Sequence, residues 1–409
     1  MRILVVSQYF WPENFSINAI ATYLRQEGHE VDVLTGIPNY PSGEFYEGYG
    51  LFKNLHQNYN GIKVDRVWMK ARGKKGGDKR LVLNYATYAM NASIAILGRL
   101  GKAYDVTFVY AMSPLSQAYP AILLRALKKV PLCLYVGDLW PDTLFSHGFT
   151  NRFVKKTLID ICSSIYKRSD CIAVTNESFI EPVSAYAGKN KKVVYIPQAV
   201  EKLYKPVRTS GEFRASLGIK ENDFLVMYAG NLGFAQSVMT IVQAATLLGD
   251  KKGIHFVFVG DGSLRLTCEE FCKEHKLSNC YFVGRKPQEE MPNLIAEADA
   301  MLVTLKNQGN YNLTLPGRTQ AFMACGKPII CCANGEAARV ITEAKAGMVT
   351  EAENSDRLAQ CIMECADLDK DELYGMGLNG QQYSQEHYDI DKVFGEIKTT
   401  LENTKYEGK

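Results

Sequence analysis

Four glycine turns in the second half of the chain carry the first chemical signal. Tyr228-Ala-Gly-Asn-Leu-Gly233 supplies Gly230, Asn231 and Gly233, and Val259-Gly-Asp-Gly262 supplies Gly260 and Gly262. Leu315-Pro-Gly-Arg318 and Asn334-Gly-Glu336 each open a helical pattern. Glycine lets a ligand approach the backbone, and a helix N-terminus offers free N–H groups and a partial positive charge. One such turn is ordinary in any α/β domain, whereas four along one edge suit a diphosphate. Leu315, Pro316 and Gly317 then present the backbone, and Arg318 is the candidate cation. A positive side chain in a first helical turn opposes the helix dipole unless an anion stands nearby; the plainer alternative is an exposed arginine. Arg265 follows the second turn, and Arg285 lies just past Val283-Gly284, where a base or ribose would rest.

The first half carries a complementary signal. Asp138-Leu-Trp-Pro-Asp142 follows the apolar run Pro131–Val136, so Asp138 and Asp142 emerge at the carboxyl end of a strand. An attacking hydroxyl needs a hydrogen-bond acceptor, which Asp138 provides; its bland alternative is a cap on a turn or helix. Trp140 offers an aromatic face to a sugar ring. A second loop of the same kind, Gln8-Tyr-Phe-Trp-Pro-Glu13, brings Trp11 and Glu13. His147 is close by, but a lone histidine is more often structural. No metal site is expected. Asp367, Asp369 and Asp371 alternate without the glycine and glutamate of a calcium loop and read as a solvated turn. The eleven cysteines contain no Cys-x-x-Cys pair and read as reduced thiols.

The elements that must position these residues alternate along the chain. Apolar runs at Arg2–Ser7, Glu30–Thr35, Lys63–Val67, Asp105–Tyr110, Pro131–Val136, Cys171–Thr175 and Lys192–Ile196 predict strands in the first half. Phe224–Ala229, Ile254–Val259, Cys280–Val283, Ala300–Thr304, Pro328–Cys332 and Gly347–Thr350 do so in the second. Continuous Val/Ile/Leu runs indicate strands buried on both faces. Helical spacing fills the gaps, as in Ile17, Ile20, Ala21 and Leu24. The order predicts an α/β protein of two Rossmann-like domains, with ligands at the carboxyl ends of the strands. The expected divisions are a first domain over 1–200, a linker over 201–215, a second domain over 216–382 and a C-terminal helix over 383–409 that packs back on the first domain.

Composition narrows the classes. A chain of 409 residues exceeds the size at which one core usually suffices. Lys plus Arg number 47 against 44 Asp plus Glu, which gives no reason to expect nucleic acid as a partner. A Gly-x-Gly-x-x-Gly after the first strand and a Gly-Lys-Ser/Thr phosphate loop are both lacking, against a dinucleotide cofactor or an ATPase. Leu81–Leu100 contains Asn84, Asn91 and Arg99, against a spanning helix. That segment and Arg152–Arg168 pair apolar residues with Lys and Arg at their ends, which predicts peripheral attachment to an anionic membrane surface.

Taken with Gly36-Ile-Pro-Asn-Tyr-Pro-Ser-Gly43, Gln236 and Met323-Ala-Cys-Gly-Lys-Pro328, these segments resemble one group. It is the family 4 glycosyltransferases of bacterial surface-polysaccharide synthesis, especially the fucosamine-transferase-like and colanic-acid-type branch. The resemblance runs through nearly the whole chain. It implies the GT-B architecture, two Rossmann-like domains facing across a cleft, with retention of anomeric configuration and no metal or other cofactor. It implies a nucleoside-diphosphate-sugar donor, UDP-linked, in the second domain. The acceptor, a glycan or a polyprenyl-diphosphate-linked sugar, belongs to the first. The setting it implies is capsule, O-antigen, lipopolysaccharide or exopolysaccharide synthesis, in the cytoplasm and at the inner membrane face. One departure stands out. The wider family carries two glutamates where this chain has Leu313 and Ala321. Glu336 is the nearest carboxylate and joins Asp138 and Arg318 as a catalytic candidate. Two other readings remain open: a nucleotide-sugar epimerase on the same fold, and a non-catalytic nucleotide-sugar-binding partner of a glycan assembly complex.

Overall fold

Apolar runs separated by amphipathic helices produce two separate parallel sheets. The computed structural model describes residues 1–74, 77–146, 151–188, 190–249 and 253–407. The chain divides into two units, one of residues 1–197 with 393–409 and one of residues 198–392.

The first unit holds β1 (Arg2–Val6), β2 (Glu30–Gly36), β3 (His56–Tyr59), β4 (Ile62–Val67), β5 (Val106–Ala111), β6 (Leu132–Val136), β7 (Cys171–Val174) and β8 (Lys192–Tyr195). Their order is β3-β4-β2-β1-β5-β6-β7-β8. Only β3 runs antiparallel, paired with β4 at the edge. It is absent from the sequence expectation because His56-Gln-Asn-Tyr59 is short, polar and without an apolar alternation. Every residue of β5, β6 and β7 is buried, as strands covered on both faces must be. The helix Ile17–Gln26 buries Ile17, Ile20, Ala21 and Leu24, the face its spacing indicated.

The last helix, Ile390–Glu407, starts later than position 383, because the helix Lys370–His387 continues to that point. Its buried Val393, Phe394, Ile397 and Leu401 lie in the first unit. There Phe394 meets Tyr23 at 5.5 Å between ring centroids, and Lys398 and Lys405 pair with Glu27 and Asp105 at 2.7 Å and 2.9 Å.

The second unit holds β9 (Phe224–Ala229), β10 (Ile254–Val259), β11 (Cys280–Gly284), β12 (Ala300–Thr304), β13 (Ile329–Cys332) and β14 (Gly347–Thr350), in the order β11-β10-β9-β12-β13-β14. All pairings are parallel. Alternate residues feed two cores. Leu225, Met227, Met301 and Val303 pack with Phe322 and Ile341 on one face; Val226, Tyr228, Phe258 and Leu302 pack with Ile241 and Ala245 on the other.

The segment expected as a linker is tied down rather than loose. It contains the helix Glu212–Ser216, and the N–H groups of Ser210 and Gly211 donate to the Glu297 carboxylate at 3.2 Å and 2.8 Å. Asp369 lies, as expected, in an exposed turn, between the helices Ser355–Asp367 and Lys370–His387. It caps the helix Lys370–His387 in a reciprocal box with Glu372, which satisfies two otherwise open backbone donors.

Among the described residues no group of three His, Cys, Asp or Glu side chains is placed to hold a metal ion, and no helix is long and apolar enough to cross a membrane.

Candidate active site

In each sheet the strand order reverses next to the first strand of the unit, between β1 and β5 and between β9 and β12. Loops leaving such a point diverge and open a crevice at the carboxyl ends of the strands.

In the second unit this edge is closely packed. Gly230 N–H donates to Val259 O at 2.9 Å, Leu232 N–H to Asp261 O at 2.9 Å and Gly260 N–H to Gly284 O at 2.8 Å. The first two glycine turns thus lie against each other. Gly230 and Gly260 have φ of +145° and +140°, and a Cβ on Gly260 would overlap the Gly230 carbonyl oxygen. Gly262 and Gly233 are equally crowded, by the Leu232 backbone and by the side chains of Asn231 and Gln236. Asn231 is exposed and donates to Gln236 at 3.2 Å.

Arg318 stands at the reversal point. It lies in the first turn of the helix Gly317–Ala324, with Pro316 at the N-cap and Leu315 buried beneath. Nη1 donates to the Tyr228 hydroxyl at 2.8 Å and Nη2 to the Thr304 carbonyl at 3.3 Å, which joins the ends of β9 and β12. The guanidinium lies 4.8 Å from the Tyr228 ring centroid. Tyr228 in turn donates to the Asn231 carbonyl at 2.6 Å. Burial raises the Tyr228 phenol pKa despite the nearby Arg318 charge, so the hydroxyl stays neutral and serves as a hinge for the cation. Arg318 Nε is buried and has no hydrogen-bond partner. The half-buried cation therefore retains a donor for an anion.

The other second-unit candidates are committed elsewhere or open to solvent. Arg265 is held by Glu269 at 2.8 Å. Arg285 is exposed and 3.8 Å from Asp261. Glu336 opens the helix Glu336–Glu343, but only 1% of its side chain is exposed and Arg339 binds it at 2.9 Å. That burial corrects its expected role as an accessible catalytic carboxylate. It is a helix-end charge held in place by its neighbour.

In the first unit, the sequence-derived residues gather near the carboxyl ends of β1 and β6 with the aromatic groups mostly covered. Trp140 is 8% exposed; its Nε1 donates to Ser113 at 3.2 Å and its ring meets Tyr85 edge-on at 6.1 Å. Its face is thus packed against protein, not offered to a sugar ring as the sequence suggested. Trp11 stacks on Tyr59 at 5.3 Å. Glu13 is 1% exposed, and its Oε1 accepts the N–H groups of Asn39 and Tyr40 at 2.8 Å and 2.7 Å. Burial pushes its carboxyl up to about 7 against the pull of those N–H groups. Glu13 positions the loop after β2 instead of reaching outward. Asp142 begins the helix Asp142–Ser146 and accepts the Tyr186 hydroxyl at 2.9 Å. Asp138 is half-buried in the loop after β6; burial raises the phenol pKa of Tyr85 and Tyr110, and the Asp138 charge adds to it. His147 lies outside the described residues.

Sequence reasoning missed a polar network at this edge. Gln8 donates through its side-chain amide to Asn84 and through its backbone N–H to the Gln117 side-chain oxygen, each at 2.8 Å; Asn84 donates to the Lys70 carbonyl at 2.6 Å and to Asn39 at 3.4 Å. The only signal was the polar Asn39 within Gly36–Gly43, since the partners are scattered along the chain.

Two Rossmann-like units with a glycine-lined, arginine-bearing edge in the second define a glycosyltransferase of GT-B type. The chain matches the Glycosyl transferase 4-like domain over residues 14–199 and Glycosyl transferases group 1 over residues 209–374. It belongs to the glycosyltransferases that join these two domains. It is 22% identical over 339 residues to the Escherichia coli (strain K12) protein WcaI, named as a colanic acid biosynthesis glycosyl transferase, with 80% of this chain and 82% of the relative covered. Its fold is similar to that of Alr3699/HepE from Anabaena in complex with UDP, with a TM-score of 0.75, 17% identity and coverage of 98% and 100% of the two chains. The same Anabaena protein in complex with UDP-glucose gives a TM-score of 0.71 at 17% identity, again covering 98% and 100%.

Proposed function

We propose that this glycosyltransferase moves a sugar from a UDP-linked donor to a glycan or polyprenyl-diphosphate-linked acceptor, with retention of configuration and no metal. The observation that carries the reading is Arg318: a half-buried guanidinium at the strand reversal, fixed by Tyr228 and Thr304, with Nε unpartnered. Departure of the nucleotide builds negative charge on the diphosphate. Arg318 and the N–H groups of the helix Gly317–Ala324 meet that charge without reorganising. In the step itself the acceptor oxygen bonds to the anomeric carbon and the carbon–phosphate oxygen bond breaks. The electron pair stays on the diphosphate, and the hydroxyl proton passes to it. Asp138 orients the hydroxyl.

The likeness to HepE, described with UDP and UDP-glucose, supports the donor class. The WcaI similarity supports the colanic-acid-type branch and an exopolysaccharide setting, while the fucosamine-transferase-like branch, capsule and lipopolysaccharide rest on the sequence resemblance alone. Attachment to the inner membrane face is supported by the helix Asp78–Leu97, which exposes Leu83, Met90, Ile94 and Leu97 along one face, and by Phe153, 79% exposed on the helix Arg152–Arg168.

A thermal-shift series with UDP, GDP and dTDP and their sugars tests the donor reading. At ~100 times its dissociation constant the true donor stabilises by about 2.7 kcal/mol. Acceptor-dependent release of UDP in the presence of EDTA is expected, and Asp138→Asn should slow it while leaving UDP affinity unchanged. Indifference to every nucleoside diphosphate would overturn the reading.

A further inference from the structure

Arg72 stands in a cage of tyrosines that leaves its charge unanswered. Its guanidinium carbon lies 5.2 Å from the ring centroid of Tyr9, 5.1 Å from that of Tyr40 and 5.8 Å from that of Tyr85. One terminal nitrogen donates to the Tyr9 hydroxyl. Nε is buried and has no hydrogen-bond partner, and among the described residues no carboxylate pairs with the group.

A structural arginine is normally used up. Neighbouring Arg66 donates to the carbonyls of Gly36 and Trp11 and to Gln57. Arg2 and Arg99 also have an unpartnered Nε, but both reach carboxylates, Asp32 and Asp65. Arg72 shares its condition with Arg318. Each lies over tyrosine, keeps a buried Nε unpartnered and lacks a carboxylate among the described residues. A buried donor left unpaired is costly unless a ligand supplies the acceptor.

The position is also that of a ligand site. Tyr9 follows β1, and Tyr85 bonds Ser113, which follows β5; these are the two strands at the order reversal. Tyr85 lies within electrostatic reach of both Arg72 and Asp138.

We infer that Arg72 in its tyrosine cage is the specificity residue for an acceptor carrying an oxyanion, either the diphosphate of a lipid-linked sugar or the carboxylate of an acidic sugar. The inference rests on the first unit being the acceptor side.

Calorimetric titration of the full chain, saturated with UDP so that the Arg318 site is filled, tests it. The probes are inorganic pyrophosphate, geranyl diphosphate and glucuronate. Binding of at least one is expected, weakened roughly tenfold or more in Arg72→Gln and partly restored in Arg72→Lys, with UDP affinity unchanged. Preference for geranyl diphosphate points to the lipid-linked source, and preference for glucuronate to the acidic sugar. Equal binding by Arg72→Gln, or no binding by the unaltered protein, overturns the inference. If UDP fails to bind, the donor reading falls, while the same titrations without UDP still decide for Arg72. Should Arg72→Gln lose its fold, phenylglyoxal labelling of the unaltered chain, read by peptide mass, settles the matter: pyrophosphate in the presence of UDP protects Arg72 if the inference holds, and leaves it reactive if it does not.

Discussion

Arg318 shows what one side chain can do when two strands end beside it. A cation in a first helical turn is unfavourable alone, yet the Tyr228 ring and the Thr304 carbonyl hold it there. Removing one preorganised donor to developing charge costs about 2.7–4 kcal/mol of transition-state stabilisation. Arg318→Ala is therefore expected to lower turnover on the order of a hundredfold or more, and Arg318→Lys to recover part, since the charge stays but the planar fork is lost. Steady-state kinetics with circular dichroism as a folding control measure this; unchanged turnover in a folded Arg318→Ala protein would remove Arg318 from the phosphate site. Glu13 gives a second residue-scale expectation. Its folded carboxyl titrates at about 7 against 4.5 when unperturbed. The protonated form is therefore favoured by folding. Its stabilising contribution is fully present below pH 4.5 and is lost as pH rises through about 7. Glu13→Gln stays neutral throughout, so between pH 5 and 8 the parent should lose of order 3 kcal/mol relative to it. Urea-denaturation profiles measured from pH 5 to 8 check this, and a constant difference between the parent and Glu13→Gln across that range would contradict the raised carboxyl.

At the scale of elements, the carboxyl edge of the second sheet depends on backbones touching. Gly260 packs on Gly230 with φ of +140°, so a methyl group meets both a forbidden backbone region and a carbonyl oxygen. Gly260→Ala should cost about 2 kcal/mol or more and weaken UDP binding, because the loop must move to relieve the overlap. Gly317→Ala is the control: its nearest contact would be the Gln198 side chain at 3.4 Å. It should leave stability within about 0.5 kcal/mol. Equal urea midpoints for the two variants would contradict this account of the turn.

The whole molecule consists of two Rossmann-like units, and the proposed function assigns phosphate recognition to the second and acceptor recognition to the first. The exposed apolar side chains of the helices Asp78–Leu97 and Arg152–Arg168 both belong to the first unit, the side to which the proposed function assigns the acceptor. Flotation with vesicles containing anionic phospholipid is expected to carry the protein at low salt and release it as salt rises, since surface attraction is screened within about 8–10 Å near physiological ionic strength. Protein that stays at the bottom of the gradient at low salt would exclude attachment.

What sequence alone determined was local. Apolar runs placed thirteen of the strands named above, and i, i+3, i+4 spacing marked the buried face of Ile17–Gln26, because backbone periodicity expresses itself within a few residues. The glycine turns were legible for the same reason, and so was Arg318 as a first-turn cation. Tertiary structure decided what each side chain faces. Tyr228 and Arg318 meet across 90 positions, and Tyr9 and Arg72 across 63. Trp140 and Glu13 read as outward-facing site residues until packing turned them inward. The polar β3 formed only because β4 offered an open edge for backbone hydrogen bonds, a partner that its four residues do not encode.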